Sequence, residues 1–198
     1  MVSNRIVRNN IVKNAIGAYA GCEAYSYEAF GKATAVYLDG DSNHTIVENN
    51  TLKTGEWGGI YINGNSDNQI INNNVSGFNE QIYFAVSSTS SGDIRNIVVT
   101  GNKFIAEGTQ FSMRIKLLAN DDINLFGLFA NNQYNKIGSN LTISINRDYS
   151  GGGGTTNMTL AEWKAVYGLD AGSISNPKKL MSNGKVMKIN GKVLVASR

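Results

Sequence analysis

The chain has 198 residues, a net charge of +3 and a single cysteine, Cys22. That excludes an internal disulfide, and no apolar run reaches the about 18 residues of a membrane-spanning helix. One domain, or one with a small appendage, can bury roughly 70% of its unfolded surface at this length without a metal.

Asn (27 residues) and Gly (22 residues) dominate, with one Pro. Both are poor helix formers, and both suit a chain that turns often. The charge is uneven. Residues 178–198 carry six bases and no acid, so residues 1–177 hold 12 bases against 15 acids. A mildly acidic body with a basic tail argues against a nucleic-acid partner. Nothing at the N-terminus resembles a signal peptide.

In chain order, the segment Ile6-Val7-Arg8-Asn9-Asn10 returns as Ile46-Val47-Glu48-Asn49-Asn50 and as Ile70-Ile71-Asn72-Asn73-Asn74. Looser copies begin at Val98 and Leu128, so the offsets are 40, 24, 28 and 30 residues. A second strand-like unit is interleaved: Val36-Tyr37-Leu38, Ile60-Tyr61-Ile62, Ile82-Tyr83-Phe84, Ile115-Lys116-Leu117 and Ile143-Ser144-Ile145. Each is short, alternating and β-branched or aromatic, the pattern of a strand with one buried face. Two strands per period describe coils that stack on one another and share one core. Stacking about 4.8 Å apart puts Asn10, Asn50, Asn74, Asn102 and Asn132 in a column that trades amide hydrogen bonds.

The Ile-x-x-Asn-Asn recurrence over residues 3–147 resembles the right-handed parallel β-helix repeats of the pectate-lyase-like superfamily. The expected fold is therefore all-β: a right-handed parallel β-helix solenoid over residues 1–150. The repeat is already running at Ser3, with no cap before it, as in the C-terminal part of a longer solenoid. A Gly-rich break and a capping helix follow over 151–177, opened by the capping box Thr159-Leu160-Ala161-Glu162, with Leu160, Trp163 and Val166 or Tyr167 on one face. The run Trp163, Gly168, Asp170, Ser173, Pro177 is similar to the closing segment of many secreted β-helix proteins and reads as structural. A basic β-meander closes the chain over 178–198, built on the Asn183-Gly184 and Asn190-Gly191 turns.

The superfamily hosts lyases, hydrolases, phage tailspikes and adhesins, so the resemblance implies several functions. It points to a polysaccharide partner, an extracellular or virion-surface location and a homo-oligomer, a trimer by likeness to tailspikes, with no membrane insertion. A non-catalytic structural or adhesive β-helix is the alternative. Strand alternation turns Tyr37, Tyr61 and Tyr83 outward. Their exposed stripe, with Trp57, is the candidate sugar platform. Lys116 continues the stripe one coil later, with Arg114 beside it. These two cations are the candidates for β-elimination on uronates, which needs a base and a cation for the carboxylate. For hydrolysis the candidate carboxylates are Asp39, Glu56 and Glu80. No cofactor is implied, with calcium as the alternative, held between coils by the acid-amide turns Asp39-Gly40-Asp41-Ser42-Asn43 and Asn63-Gly64-Asn65-Ser66-Asp67. The turn Asp39-Gly40-Asp41-Ser42-Asn43 starts like a calcium loop but lacks the glycine and glutamate that an EF-hand requires. His44 is the sole histidine, which speaks against zinc or a His-based triad. The insertion from Ala15 to Lys32 is the candidate wall of a groove above Tyr37 or, equally, a lateral cover for apolar surface.

Overall fold

A computed structural model describes residues 4–17, 33–86, 92–118, 123–147, 153–176, 179–180 and 186–187. Most of the Ala15–Lys32 insertion, Pro177 and most of the tail lie outside the described residues. Of the expected meander, Lys179–Leu180 pairs antiparallel with Val186–Met187 across the Asn183-Gly184 segment.

The chain repeats a coil of three strands, not two. The first coil holds β1 (Ile6–Arg8), β2 (Ile11–Ala15) and β3 (Val36–Asp39). The second holds β4 (Ile46–Glu48), β5 (Thr51–Gly55) and β6 (Gly58–Asn63). The third holds β7 (Gln69–Ile71), β8 (Asn74–Ser76) and β9 (Glu80–Ala85). The fourth holds β10 (Ile97–Thr100), β11 (Lys103–Glu107) and β12 (Phe111–Lys116). The fifth holds β13 (Gly127–Ala130), β14 (Gln133–Ile137) and β15 (Leu141–Asn146). Equivalent strands pair in parallel to build three sheets: β1-β4-β7-β10-β13, β2-β5-β8-β11-β14 and β3-β6-β9-β12-β15. We call them sheets A, B and C. Strand β16 (Thr155–Thr159) adds to the last edge of sheet C in antiparallel fashion. The molecule is thus an all-β stack of largely parallel sheets, compatible with a β-helix.

The middle strand of each coil is the one the repeat did not disclose. It contributes one large core residue near its start, Val12, Leu52, Val75, Phe104 or Tyr134, with mostly polar or small residues around it. These five lie in register as one row. Sheet A supplies the row Val7–Val47–Ile70–Val99–Phe129. Sheet C supplies Val36–Ile60–Ile82–Met113–Ile143 and Leu38–Ile62–Phe84–Ile115–Ile145. The rows merge into one buried cluster. At about 1.5–3 kcal/mol per fully buried large apolar side chain, this shared core is what holds the coils together.

Register also corrects the asparagine column. Ile46 pairs with Gln69, not Ile70, so the third member is Asn73 rather than Asn74. The side-chain Nδ2 of Asn10 donates to Asn50 Oδ1, Asn50 to Asn73, Asn73 to Asn102 and Asn102 to Asn132, at 3.0–3.1 Å. Each backbone N–H of the four donates to the same next oxygen. The second amide proton of Asn50, Asn73, Asn102 and Asn132 goes to a carbonyl of sheet A: Val7, Val47, Ile70 and Val99 respectively. The residue before each column member carries the turn's left-handed backbone: Asn9, Asn49, Asn72, Gly101 and Asn131 have φ of 54–68°. The Asn-Asn doublet therefore divides two tasks, since one Asn tolerates the left-handed conformation and the next hydrogen-bonds along the stack.

The helix α1 (Leu160–Tyr167) forms as its capping box requires. Glu162 N donates to Thr159 Oγ1, and Thr159 N donates to Glu162 Oε2. It ends at Gly168, φ 66°. Leu160 and Trp163 are buried in the core, Tyr167 packs at its margin and Val166 is exposed. Beyond the helix, Asp170–Ile174 copies the corner of a further coil. Ala171 bridges to Ala130 and Ile174 to Gln133. Gly172 and Ser173 occupy the places of the Asn doublet, with Ser173 Oγ accepting from Asn132 N.

Candidate functional site

The outer face of sheet C carries the residues singled out for sugar binding. Tyr37, Tyr61 and Tyr83 are in register and stack at 4.6 and 4.5 Å between ring centroids, each pair tilted by 22°. Strand spacing of about 4.8 Å sets that separation, so the ladder of rings follows from one Tyr per coil. Trp57 lies 5.2 Å from Tyr61, edge-on, and 6.2 Å from Tyr83. The expected exposed stripe is not what forms: Tyr37 is 48% exposed, but Tyr61 and Tyr83 are only 4% and 5% exposed. The aromatic group is a small outer core with one open end.

The next member of this row is Arg114, paired with Tyr83. Lys116 belongs to a neighbouring row, Asp39–Asn63–Ala85–Lys116–Asn146. Sequence alternation alone puts Lys116 on the tyrosine row. A cation does continue it, but the residue is Arg114.

Arg114 is held by Glu80. Its Nη1 donates to Glu80 Oε1 at 2.9 Å. Glu80 starts β9, and its N–H donates to the Trp57 carbonyl at 3.1 Å, which ties the ion pair to the aromatic group. Glu80 is 6% exposed, and its Oε2 is buried without a hydrogen-bond partner. Burial pushes this carboxyl above its ordinary range, and Arg114 offsets only part of that rise. Phe111, which pairs with Glu80, has the Arg114 guanidinium 5.8 Å from its ring centroid and the Lys136 ammonium 4.3 Å from it.

The three carboxylates proposed for hydrolysis do not converge. Glu56 Oε2 accepts from Gly17 N at 2.9 Å, towards the first coil, while Glu80 reaches to Arg114 in the fourth. Asp39 sits in the row of Ala85, five positions from Glu80 on β9 and two coils away. Their backbones are about 19 Å apart on strand dimensions, against the about 5–9.5 Å of glycosidase pairs. Asp39 Oδ1 instead accepts from Tyr37 Oη at 2.9 Å and Asn63 Nδ2 at 2.7 Å. In the turn beyond it, Ser42 Oγ donates to the Asp39 carbonyl and Asn43 Oδ1 accepts from Ser66 N. Among the described residues no three His, Cys, Asp or Glu side chains gather as a cation site. No helix among them is long and apolar enough to cross a membrane.

Two residues, Lys136 and Phe111, and the partners of a third, Asp170, were not legible in the sequence. Lys136 shares strand parity with the core residue Tyr134, an odd place for a cation and the signal that was available. Phe111 stands outside the repeated strand units, and nothing in the sequence marked it. Asp170 looked structural, and it is, but its partners could not be read from its neighbours in sequence. No protein-family model, curated protein or solved structure matches the chain. The class that the fold defines is a stack of parallel sheets of the solenoid kind.

Proposed function

We propose that the chain is a right-handed parallel β-helix module of the pectate-lyase-like kind, directed at carbohydrate, with the outer face of sheet C as its binding side. The observation that carries the reading is the row Tyr37–Tyr61–Tyr83–Arg114. It runs along the stacking axis for three coil steps, about 14 Å, from a half-exposed ring to a guanidinium. Aromatic faces stack on sugar rings and guanidinium pairs with carboxylates, so the open Tyr37 ring and the Arg114 guanidinium at the two ends of the row suit a linear, acidic glycan lying across the coils. On this reading the protein works outside the cell or on a virion surface, and it assembles as a homo-oligomer, in the manner of tailspike trimers. In the lyase form of this reading the same face cleaves the glycan by β-elimination, through Arg114 and Lys116.

The burial of Tyr61 and Tyr83 favours a second reading, in which the rings are a structural staple of a non-catalytic, adhesive β-helix. One titration separates the two. Tyr37→Ala removes the open ring and leaves the buried pair in place. Under the carbohydrate reading it weakens binding to an acidic oligosaccharide, with an unchanged circular dichroism spectrum. Equal binding by wild type and variant, or no binding by either across acidic and neutral glycans, leaves the staple reading. Release of an unsaturated product from a uronate polymer, lost in Lys116→Ala, establishes the lyase form.

A further inference from the structure

Glu80 holds the cation of the tyrosine row by a single bond. Its Oε1 accepts from Arg114 Nη1 at 2.9 Å, while its Oε2 is buried with no hydrogen-bond partner. A carboxylate can accept several bonds, and a guanidinium has five N–H donors. The two side chains differ in exposure: 32% for Arg114 and 7% for Glu80. The cation therefore reaches solvent, and the acid that holds it does not. Among the described residues, no group packed around Glu80 forms a second ion pair with it. Gly58 on β6 and Phe111 on β12 flank it in register, and the Trp57 carbonyl accepts its N–H at 3.1 Å. The other cation bordering this group is Lys136 on β14, whose ammonium lies against the Phe111 ring. In its own row Arg114 stands between Tyr83 and Ser144, and neither brings a charge.

An ionised carboxylate taken from water with one hydrogen bond is costly, and a neutral carboxyl is much less so. Burial accordingly raises the Glu80 pKa, with Arg114 opposing. With its proton on Oε2, Glu80 still accepts from Arg114 through Oε1. The neutral form thus holds the guanidinium without cancelling its charge. The ionised form holds it too, but leaves the pair with no net charge. We propose that Glu80 is the positioning residue of the sheet C face, and that its protonation sets how strongly Arg114 attracts a carboxylate on the ligand. On the carbohydrate reading above, on which this rests, the face then prefers an acidic sugar most at low pH. The effect is reciprocal: a ligand carboxylate on Arg114 raises the affinity of Glu80 for its proton by the same factor.

The test is a calorimetric titration of the whole chain with a uronate oligosaccharide and with a neutral one of equal length, across pH 5 to 8, where the uronate itself stays ionised. Wild type, Glu80→Gln and Glu80→Ala are compared. In wild type the uronate affinity is expected to fall about ten-fold as pH rises through the folded value of Glu80, the equivalent of about 1.4 kcal/mol. Binding there takes up protons, and neutral binding stays flat. Glu80→Gln copies the neutral carboxyl, so it keeps the low-pH uronate affinity across the range and takes up no proton. Glu80→Ala loses the hold on Arg114 and binds the uronate more weakly than Glu80→Gln at every pH. A flat uronate profile in wild type, a slope that persists in Glu80→Gln, or the same slope with the neutral sugar overturns the proposal while the carbohydrate reading stands. If neither sugar binds at any pH, the carbohydrate reading fails and the proposal falls with it. Where Glu80→Ala does not fold, by circular dichroism, the profiles of wild type and Glu80→Gln decide alone.

Discussion

Asn132 donates its side-chain amide to Oδ1 of Asp170 at 3.1 Å, and with that bond the asparagine column ends. A ladder of amides has a direction. Each member gives its protons to the next and receives on its oxygen, so the last must be an acceptor that owes no proton onward. A carboxylate meets that requirement where another amide does not. Asp170 is fully buried and also accepts from Trp163 Nε1 at 2.7 Å, Ser173 Oγ at 2.6 Å and Tyr134 Oη at 3.2 Å. One side chain thus joins the column, the helix and the last core row. Burial, and then the adjacent Asp170, raise the Tyr134 hydroxyl well above its ordinary pKa, so this phenol stays neutral and keeps donating.

Asp170→Ala is therefore expected to be among the most destabilising substitutions in the chain. It strands four buried donors, two of them from Trp163 and Tyr134. Breaking a buried charged network by removing one partner costs about 3–5 kcal/mol. Asp170→Asn keeps the shape but supplies amide protons where only acceptors fit, so it recovers only part of the loss. Urea unfolding of the two variants measures this. A cost under about 1 kcal/mol for Asp170→Ala sinks the account of how the column ends.

Within the column, Asn73→Ala removes the acceptor for two donors of Asn50 and the donor to Asn102. Unsatisfied buried groups cost about 1–3 kcal/mol each, so a loss of about 2–4 kcal/mol is expected. The adjacent Asn74→Ala, at the position the repeat itself suggested, is expected to cost about 1 kcal/mol or less. The contrast between the two tests the register directly.

The one-residue error at Asn74 shows where sequence pattern stops. The column steps are 40, 23, 29 and 30 residues, and Ile70-Ile71 offers two equally apolar choices for alignment with Ile46-Val47. Only the parity of the core settles it, with Ile70 on Val47. The coils, the capping box and the tyrosine row were legible because each is a local pattern or a repeat of one. The middle strands were not, because one core residue among Thr51, Lys53 and Thr54 looks like a turn. Nor was the Glu80–Arg114 pair, whose members are 34 residues apart and meet only through the register of β9 and β12. The exposure of the tyrosines could not be read either. Alternation tells which way a ring leaves the sheet, not what then covers it.

The tyrosines make a graded prediction. Tyr61 and Tyr83 are both buried; Tyr61 is stacked between Tyr37 and Tyr83, and Tyr83 stacks on Tyr61 with Trp57 tilted beside it at 6.2 Å. Tyr61→Ala and Tyr83→Ala should each cost about 3–5 kcal/mol, the range for a large buried aromatic. Tyr37→Ala loses one stacked contact, worth about 0.5–1.5 kcal/mol beyond area. Thermal or urea unfolding ranks them. Equal losses at all three would mean that Tyr37 is as enclosed as its neighbours.

Gly59 tests the packing between coils. A Cβ there would meet Val75 Cγ1 and, at 2.6 Å, the Gln81 carbonyl, one a core side chain and the other backbone of the next coil. Neither can move without shifting a strand. Gly59→Ala should cost about 1–3 kcal/mol as overpacking, whereas Gly154→Ala, which meets nothing within 4 Å, should change stability by about 0.5 kcal/mol or less. Matched stabilities of the two variants would refute the close approach of the second and third coils.

Glu80 carries the pH prediction. Its carboxyl is raised above 4.5 by burial, with Arg114 pulling the other way. A group that holds its proton more tightly when folded favours folding most below its unfolded pKa, and that contribution is lost as pH rises through its folded pKa. The difference in unfolding free energy between wild type and Glu80→Gln should therefore fall as pH increases from about 4.5 upward through the folded value. The Arg114 contact opposes this fall, because it favours the ionised form. If the difference grows with pH instead, the ion pair outweighs burial and Glu80 is an ionised anchor for Arg114. A falling difference identifies a carboxyl that keeps its proton above the usual range, the property a general acid would need on this face. Urea titrations of the two proteins across pH 4 to 8, on the same buffer series, read the sign without any assumption about a ligand.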